Sequence, residues 1–258
     1  MRETVLVTGA SSGIGLELAK LFAAGGSDVV LAARTVVALQ GLAETLEREH
    51  GIRARVAPCD LTDPAAPRIL FDELEREGVA VDVLVNDAGM ASVGPFVTHE
   101  IDGELDQLQV NVVALTHLTG LFLPKMAARR RGGVLNVAST AAFQPGPLMA
   151  VYYASKAYVL SFTVALADEM RGTGVTITCL CPGPTRTGFE ERSGNAKTRL
   201  FRLPSVMDAV TVARAGYEGF REGRPVVIPG FLNKLTATAS RLAPAGLPTK
   251  VARLLNEE

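Results

Sequence analysis

Thr4-Val5-Leu6-Val7-Thr8-Gly9-Ala10-Ser11-Ser12-Gly13-Ile14-Gly15 is the stretch that decides the fold. Its first four residues are apolar or β-branched, the composition of a strand covered on both faces. A glycine-punctuated turn follows, and from Leu16 a helical pattern runs to Ala24 and stops at Gly25-Gly26. Glycines between a strand and a helix permit a tight turn and close backbone approach, and the unpaired N–H groups at the helix start favour an anion. The turn therefore predicts a dinucleotide held against Gly9, Ser11, Ser12, Gly13, Ile14 and Gly15, although its spacing is GxxxGxG and not the usual GxGxxG.

Outward from this turn, short apolar runs recur at 29–33, 52–57, 81–85, 134–138, 175–180 and 226–228, which with the first makes seven candidate strands. Helical segments lie between them, among them 38–50, closed by Gly51, and 64–77, opened by Asp63-Pro64 and closed by Gly78. Strands alternating with helices imply right-handed parallel crossovers, hence an α/β, doubly wound parallel sheet with helices on both faces. Only the run at 52–57 alternates, with Ile52, Ala54 and Val56 opposite Arg53 and Arg55, so it is expected at a sheet edge. We expect one domain over 1–230, with the polar, glycine-containing segment 184–204 as a mobile substrate loop, and a helical tail over 231–258 packed on the same domain.

Composition narrows the classes of function. The 258 residues are 48% apolar, and 26 basic residues balance 27 acidic ones for a net charge of -1. That excludes a disordered chain and gives no footprint for nucleic acid or an anionic membrane. Cys59, Cys179 and Cys181 form neither a disulfide set nor a zinc-ligand spacing; the last two share a strand face as small buried groups. His50, His99 and His117 read as surface or satisfied core residues, and no metal is expected. Without a basic-then-apolar leader or roughly 18 uninterrupted apolar residues, a cytoplasmic location is expected.

Two further regions carry chemistry. The second strand ends in Ala33-Arg34-Thr35, where an NAD-specific fold normally offers a carboxylate to the ribose; a guanidinium there suits a 2′-phosphate and so NADP(H). Tyr152 and Lys156 stand four residues apart, on one face of a helix, where the ammonium is expected to lower the phenol pKa toward neutrality. Tyr153 is expected to point about 100° away. Ser139, at the carboxyl end of the run 134–138, opens onto the expected crevice with a hydroxyl able to hold a carbonyl oxygen.

These motifs, in this order, resemble the short-chain dehydrogenase/reductase family across nearly all of residues 4–230. TGxxxGIG stands at 8–15, the Asn-Asn-Ala-Gly motif as Asn86-Asp87-Ala88-Gly89, the family's active-site asparagine as Asn111, then Ser139, Tyr152, Lys156 and Pro182-Gly183. Asp87 departs from the family's second asparagine. The resemblance implies a Rossmann fold and a hydride-transferring oxidoreductase acting on a carbonyl or secondary alcohol. In it Tyr152 is the general acid or base and Ser139 orients the substrate oxygen. Lys156 binds the nicotinamide ribose, and Asn111 supports a proton path to that lysine. It further implies adenine contact by Asp60, with Leu61 beside it, and an adenosine-ribose wall of Asn86, Ala88 and Gly89. Pro182, Gly183, Thr185 and Thr187 are expected to close over the nicotinamide end.

Met90, Val93, Phe143, Met149, Phe189, Phe201 and Leu203 are expected to line the substrate site, favouring a hydrophobic ketone, a 3-oxoacyl chain or a steroid-like alcohol. The alternative is a catalytically silent NADP(H)-binding sensor of the same fold, against which the retention of Asn111, Ser139, Tyr152 and Lys156 speaks. A homodimer or homotetramer is expected through the helices carrying Asn111 and Tyr152, with Leu108, Val112, Leu115 and Phe122 in the contact. The tail's leucines with Lys234, Arg241, Lys250 and Arg253 are compatible with a membrane surface. Proline and glycine interruptions favour substrate cover or a subunit contact, so membrane contact is not expected.

Overall fold

In the computed structural model, which describes residues 2–203, 205–244 and 246–257, seven strands form one parallel sheet. Pro204, the far end of the expected loop, lies outside the described residues, as do Met1, Ala245 and Glu258. The strands are β1 (Thr4–Thr8), β2 (Asp28–Ala33), β3 (Ala54–Pro58), β4 (Val83–Asn86), β5 (Gly133–Val137), β6 (Thr176–Leu180) and β9 (Val226–Val227). Their order, β3-β2-β1-β4-β5-β6-β9, places the reversal of winding between β1 and β4. All seven expected strands form, and β3 is the edge strand that its alternation implied. Two further short strands, β7 (Thr185–Arg186) and β8 (Met207–Asp208), pair in parallel as a separate ribbon that the sequence reading missed.

Helices α1 (Gly13–Ala24), α2 (Val36–His50) and α8 (Ala209–Arg221) cover one face. Leu18, Phe22, Leu39 and Phe220 pack there against Val5, Val7, Val83 and Val85. The other face is closed by α3 (Ala66–Arg76) and by the long run α4 (Ile101–Leu108), a π-helical turn (Gln109–Ala114) and α5 (Leu115–Arg129). Leu70, Phe71, Leu118 and Phe122 meet Leu6, Leu84 and Val134 on that face. Strand alternation divides one β-strand between two cores, which is why these runs are almost wholly apolar. Helix α3 begins two residues after Pro64, with Pro67 in its first turn and Asp63 bonded to the Ala65 N–H at 2.8 Å.

Helix α6 (Ala150–Glu169) follows β5. It and the 101–129 run are long and apolar enough to cross a membrane by length and composition, but both pack beside the sheet. Leu115 and Phe122, expected at a subunit contact, are buried in this chain's own core. Beyond β6, α7 (Phe189–Arg192) lies inside the expected loop, and α9 (Phe231–Leu242) and α10 (Leu247–Asn256) form the tail. The loop's polar residues are not all solvent-directed: Ser193, Asn195 and Thr198 are buried, Thr198 with its hydroxyl bonded to the Asn195 carbonyl at 2.7 Å.

Candidate functional site

A cavity of about 440 Å³ opens at the carboxyl edge of the sheet, where β1, β2, β4, β5 and β6 end. Its floor is set by Thr8. The Thr8 hydroxyl donates to the Val85 carbonyl at 3.2 Å and accepts from the N–H groups of Asp87 (3.1 Å) and Ala88 (3.2 Å). The turns after β1 and β4 are thereby drawn together. They approach so closely that a side chain at Gly9, where φ is 72°, would stand 2.9 Å from the Ala88 nitrogen. A side chain at Gly15 would stand 2.5 Å from Oδ2 of Asp87.

The helix start is free in the sense an anion site requires. Ser12 occupies the N-cap of α1 without a side-chain capping bond, and Gly13 and Ile14, whose N–H groups have no intrahelical partner, line the cavity. Asp87 takes the Gly15 N–H. Burial pushes its carboxyl pKa up to about 7, against the opposing pull of Lys156, that N–H bond and Arg192. Arg192, from α7, reaches across to donate to the Ser12 hydroxyl at 3.4 Å. Arg34, exposed just past β2, forms the far wall with Asp60 and Leu61. These are the groups a dinucleotide fits: glycine backbone and open N–H groups for the pyrophosphate, with Arg34 and Asp60 at the far end of the cavity.

The reactive end gathers Tyr152, Ser139 and Lys156 on adjoining elements. Ser139 follows β5 and caps a short 3₁₀ turn (Thr140–Phe143), accepting the Ala141 N–H at 3.1 Å; its side chain also hydrogen-bonds the Tyr152 phenol. Lys156 Nζ lies 5.8 Å from the Tyr152 ring centroid and donates to the Val137 carbonyl at 2.8 Å. The expected depression of the phenol is not what this geometry produces. Burial pushes the Tyr152 pKa up to about 12, only partly offset by the Ser139 bond, while the ammonium is engaged by a strand carbonyl. Burial also lowers the Lys156 pKa, opposed by the Asp87 carboxylate.

Asn111 sits in the π-helical turn, a local widening that often marks functional positions. Its side chain clasps the Met90 backbone, accepting from N–H at 2.8 Å and donating to C=O at 2.9 Å, and donates to the Ser155 hydroxyl at 3.0 Å. Ser155 in turn donates to the Tyr152 carbonyl at 2.7 Å. Gly89 lies between Asn111 and Lys156: a Cβ there would be 3.5 Å from Oδ1 of the first and 3.6 Å from Nζ of the second.

Among the expected cofactor residues, Gly9, Ser11, Ser12, Gly13, Ile14, Arg34, Asp60, Leu61, Ala88, Gly89, Pro182, Gly183, Thr185 and Thr187 all border the cavity, as do Tyr152 and Lys156. Asn86 does not. As the last residue of β4 its side chain falls on the Leu84 face, where it donates to Asn136 (2.9 Å) and to Thr119 (3.2 Å) within the core. Gly15 acts behind the wall, through Asp87. Met90, Met149, Phe189 and Phe201 reach the cavity, whereas Val93 and Phe143 pack into neighbouring apolar clusters. Tyr153 is no mere outward neighbour: buried, it borders the cavity and donates to Asn256 Oδ1 of α10 at 3.3 Å. Arg192 and Leu255 were missed because they arrive from distant chain segments. His99, read as a surface or satisfied core residue, is satisfied through Nδ1 by Glu104, which also accepts from Ser92.

The chain belongs to the short chain dehydrogenases, whose family model matches residues 3–198. This is a family of nicotinamide-dependent oxidoreductases acting on ketones and alcohols. It is 38% identical over 183 residues to a short chain dehydrogenase of Pseudocercospora fijiensis, an alignment covering 70% of this chain and 59% of that relative's length. It is 39% identical over 191 residues to the monensin polyketide synthase putative ketoacyl reductase of Streptomyces virginiae, covering 72% of each. Among solved structures it resembles a Sphingobium yanoikuyae short-chain dehydrogenase in complex with NADPH (34% identity, TM-score 0.82, 93% and 94% of the chains). A Burkholderia phymatum enzyme in complex with NAD (27%, 0.82, 92% of each) and the bulky-bulky ketone specific alcohol dehydrogenase of Comamonas testosteroni (28%, 0.78, 96% and 98%) share the fold.

Asp87 yields a signed test. Its carboxyl is ionised in the unfolded chain above its ordinary pKa of 3.8 but holds its proton in the folded protein up to about 7, so this group's contribution to stability falls as pH rises through that window. Asp87→Asn stays neutral, and its advantage in Tm over the parent should grow by about 5 °C or more between pH 5 and pH 8. A Tm difference independent of pH would show that the carboxyl is not held protonated.

Proposed function

We propose that the protein is an NADP(H)-dependent reductase of hydrophobic ketones or 3-oxoacyl compounds. The observation that carries this reading is the meeting of Tyr152, Ser139 and Lys156 at one end of a cavity whose other end presents Arg34. A bound NADPH supplies the hydride. The protein's part is placement and the proton: Ser139 orients the substrate oxygen, and Tyr152 donates its phenolic proton to that oxygen as the carbonyl is reduced. Lys156 holds the nicotinamide ribose. Asn111 acts as a positioning residue, since its hydrogen bonds run to Met90 and Ser155 on either side of the site. Asp60 and Leu61 take the adenine, Ala88 and Gly89 its ribose, and Pro182, Gly183, Thr185 and Thr187 the nicotinamide end.

The substrate class follows from the wall. Met90, Met149, Phe189, Leu200, Phe201 and Leu255 border the cavity, and Phe189 lies 6.0 Å from the Tyr152 ring between centroids. An apolar wall with one hydroxyl pair at its end favours a hydrophobic carbonyl compound over a sugar. The segment 184–204 serves as the substrate loop of a cofactor-binding and catalytic domain over 1–230, with 231–258 packed on it.

Tyr152→Phe should lower NADPH-dependent turnover of a hydrophobic ketone panel by at least about 10² while leaving cofactor binding near the parent value. Tyr153→Phe, which loses only the Asn256 bond, should retain most of its activity. The reverse ranking would shift the proton donor by one residue.

Arg34→Ala should cost roughly ten- to a hundredfold in NADPH affinity by calorimetry and little in NADH affinity, the scale of one charge-assisted contact. Equal losses for both cofactors would remove Arg34 as the 2′-phosphate partner.

The assembly we propose is a homodimer or homotetramer through the 101–129 run, which carries Asn111, and α6. Val113, Tyr158 and Val164 are exposed there, with Tyr158 bonded to Thr116 across the two segments at 2.9 Å. Light scattering at micromolar concentration should give a multiple of the chain mass, and Val113→Glu/Val164→Glu should lower it. A monomeric parent would overturn this contact.

A further inference from the structure

Helices α9 and α10 are built inside out. On α9 the buried positions are Asn233 and Ala237, with Ser240 partly covered one turn on. Phe231, Leu235 and Leu242 project from the opposite side, at 83%, 54% and 81% exposure. Helix α10 repeats the arrangement: Ala252 and Asn256 face inward, while Leu247, Val251 and Leu254 form the outward stripe. A surface helix normally turns its large apolar residues to the core and its small polar ones to water. Both helices here do the reverse.

The inward faces are anchored at the rim of the cavity. Ser240 donates to the side chain of Gln144, and Asn256 donates to the Pro147 carbonyl at 2.9 Å while accepting from Tyr153. Gln144, Tyr153 and Leu255 all border the cavity. Each helix therefore stands between the cavity rim and an apolar ridge directed away from the protein.

Charge says what meets that ridge. Residues 231–256 contain Lys234, Arg241, Lys250 and Arg253 and no acidic residue, leaving 22 basic against 27 acidic residues in the rest of the chain. On α9 Lys234 and Arg241 flank the apolar stripe at about 60–120° of helical rotation from its centre, and on α10 Lys250 and Arg253 do the same. Arg253 shares Glu257 with Arg199, and Arg241 stacks over Phe143 at 4.7 Å, whereas Lys234 and Lys250 are exposed. A second copy docking face to face would set this basic surface against itself, since a two-fold contact pairs a patch with its own kind. An anionic surface with an apolar interior satisfies both the stripe and its flanks.

We propose that α9 and α10 seat the protein on an anionic phospholipid surface, with the outward apolar residues entering the acyl boundary and the flanking basic residues meeting the headgroups. This proposal takes the place of the expectation that the tail serves substrate cover or a subunit contact and makes no membrane contact, and it brings the rim of the cavity beside the lipid. The inference rests on the tail alone and not on the reaction.

Vesicle sedimentation of the full chain tests it. Binding to phosphatidylcholine vesicles carrying about a third phosphatidylglycerol should exceed binding to pure phosphatidylcholine at least tenfold and weaken with added salt. Lys234→Gln/Lys250→Gln should lose roughly fivefold per residue, and Phe231→Ser/Leu242→Ser should abolish binding with the mass by light scattering unchanged. Equal binding to both vesicle types, or binding that survives both double substitutions, would overturn the proposal. So would a fall in mass on Phe231→Ser/Leu242→Ser without vesicle binding by the parent, which would return the ridge to a subunit contact.

Discussion

The hydroxyl of Thr8 is the constraint on which the site depends. One oxygen donates to the Val85 carbonyl and accepts two N–H groups from the turn after β4, fastening together the two crossovers that diverge at the point where the winding reverses. A doubly wound sheet leaves a crevice at that point in any case. What the threonine adds is a fixed separation. With the turns this close, Gly9 and Gly15 have no room for side chains, the start of α1 stays open, and the backbone presents N–H groups where a phosphate can reach them.

Burial then sorts the ionisable groups. Tyr152, Lys156 and Asp87 share one enclosed region, and each is driven toward its neutral form: the phenol and the carboxyl upward, the ammonium downward. A carboxyl in place of the family's asparagine adds a negative group that opposes the desolvation of Lys156 while suffering its own. Burial makes the phenol a weaker acid than an ordinary tyrosine, so its service as a proton donor depends on placement. It remains protonated at neutral pH, is aligned by Ser139, and stands on a helix tied through Ser155 and Asn111 to the loop after β4.

The strands were legible because both faces of the sheet are covered, which turns each strand into an unbroken apolar run. One edge strand, β3, was legible because its run alone alternates. Ser139, Tyr152 and Lys156 could be read from their order and spacing, since strand ends and one helical turn bring them together by local geometry. Asn86 could not. Its motif is adjacent to the site, but strand pleating sends its side chain to the core, a one-residue question that a motif does not answer. Arg192 and Leu255 come from segments with no periodicity linking them to the glycine turn. The strands β7 and β8 are two residues each, too short to leave a pattern. The tail's apolar spacing was visible as helical, yet spacing alone does not say which side of a helix is buried, and here the small residues won the inner face.

The central claim is that this site moves a hydride and a proton onto a carbonyl, and does not merely bind a nucleotide. The direct measurement is isotopic: incubation with NADPH deuterated at C4 on either face and a hydrophobic prochiral ketone, followed by mass spectrometry of the alcohol. The account predicts one deuterium at the carbinol carbon from one face of the cofactor only, in a single enantiomer of product. Tight NADPH binding with no deuterium in any alcohol would contradict it and leave a nucleotide-binding protein of this fold without the reaction.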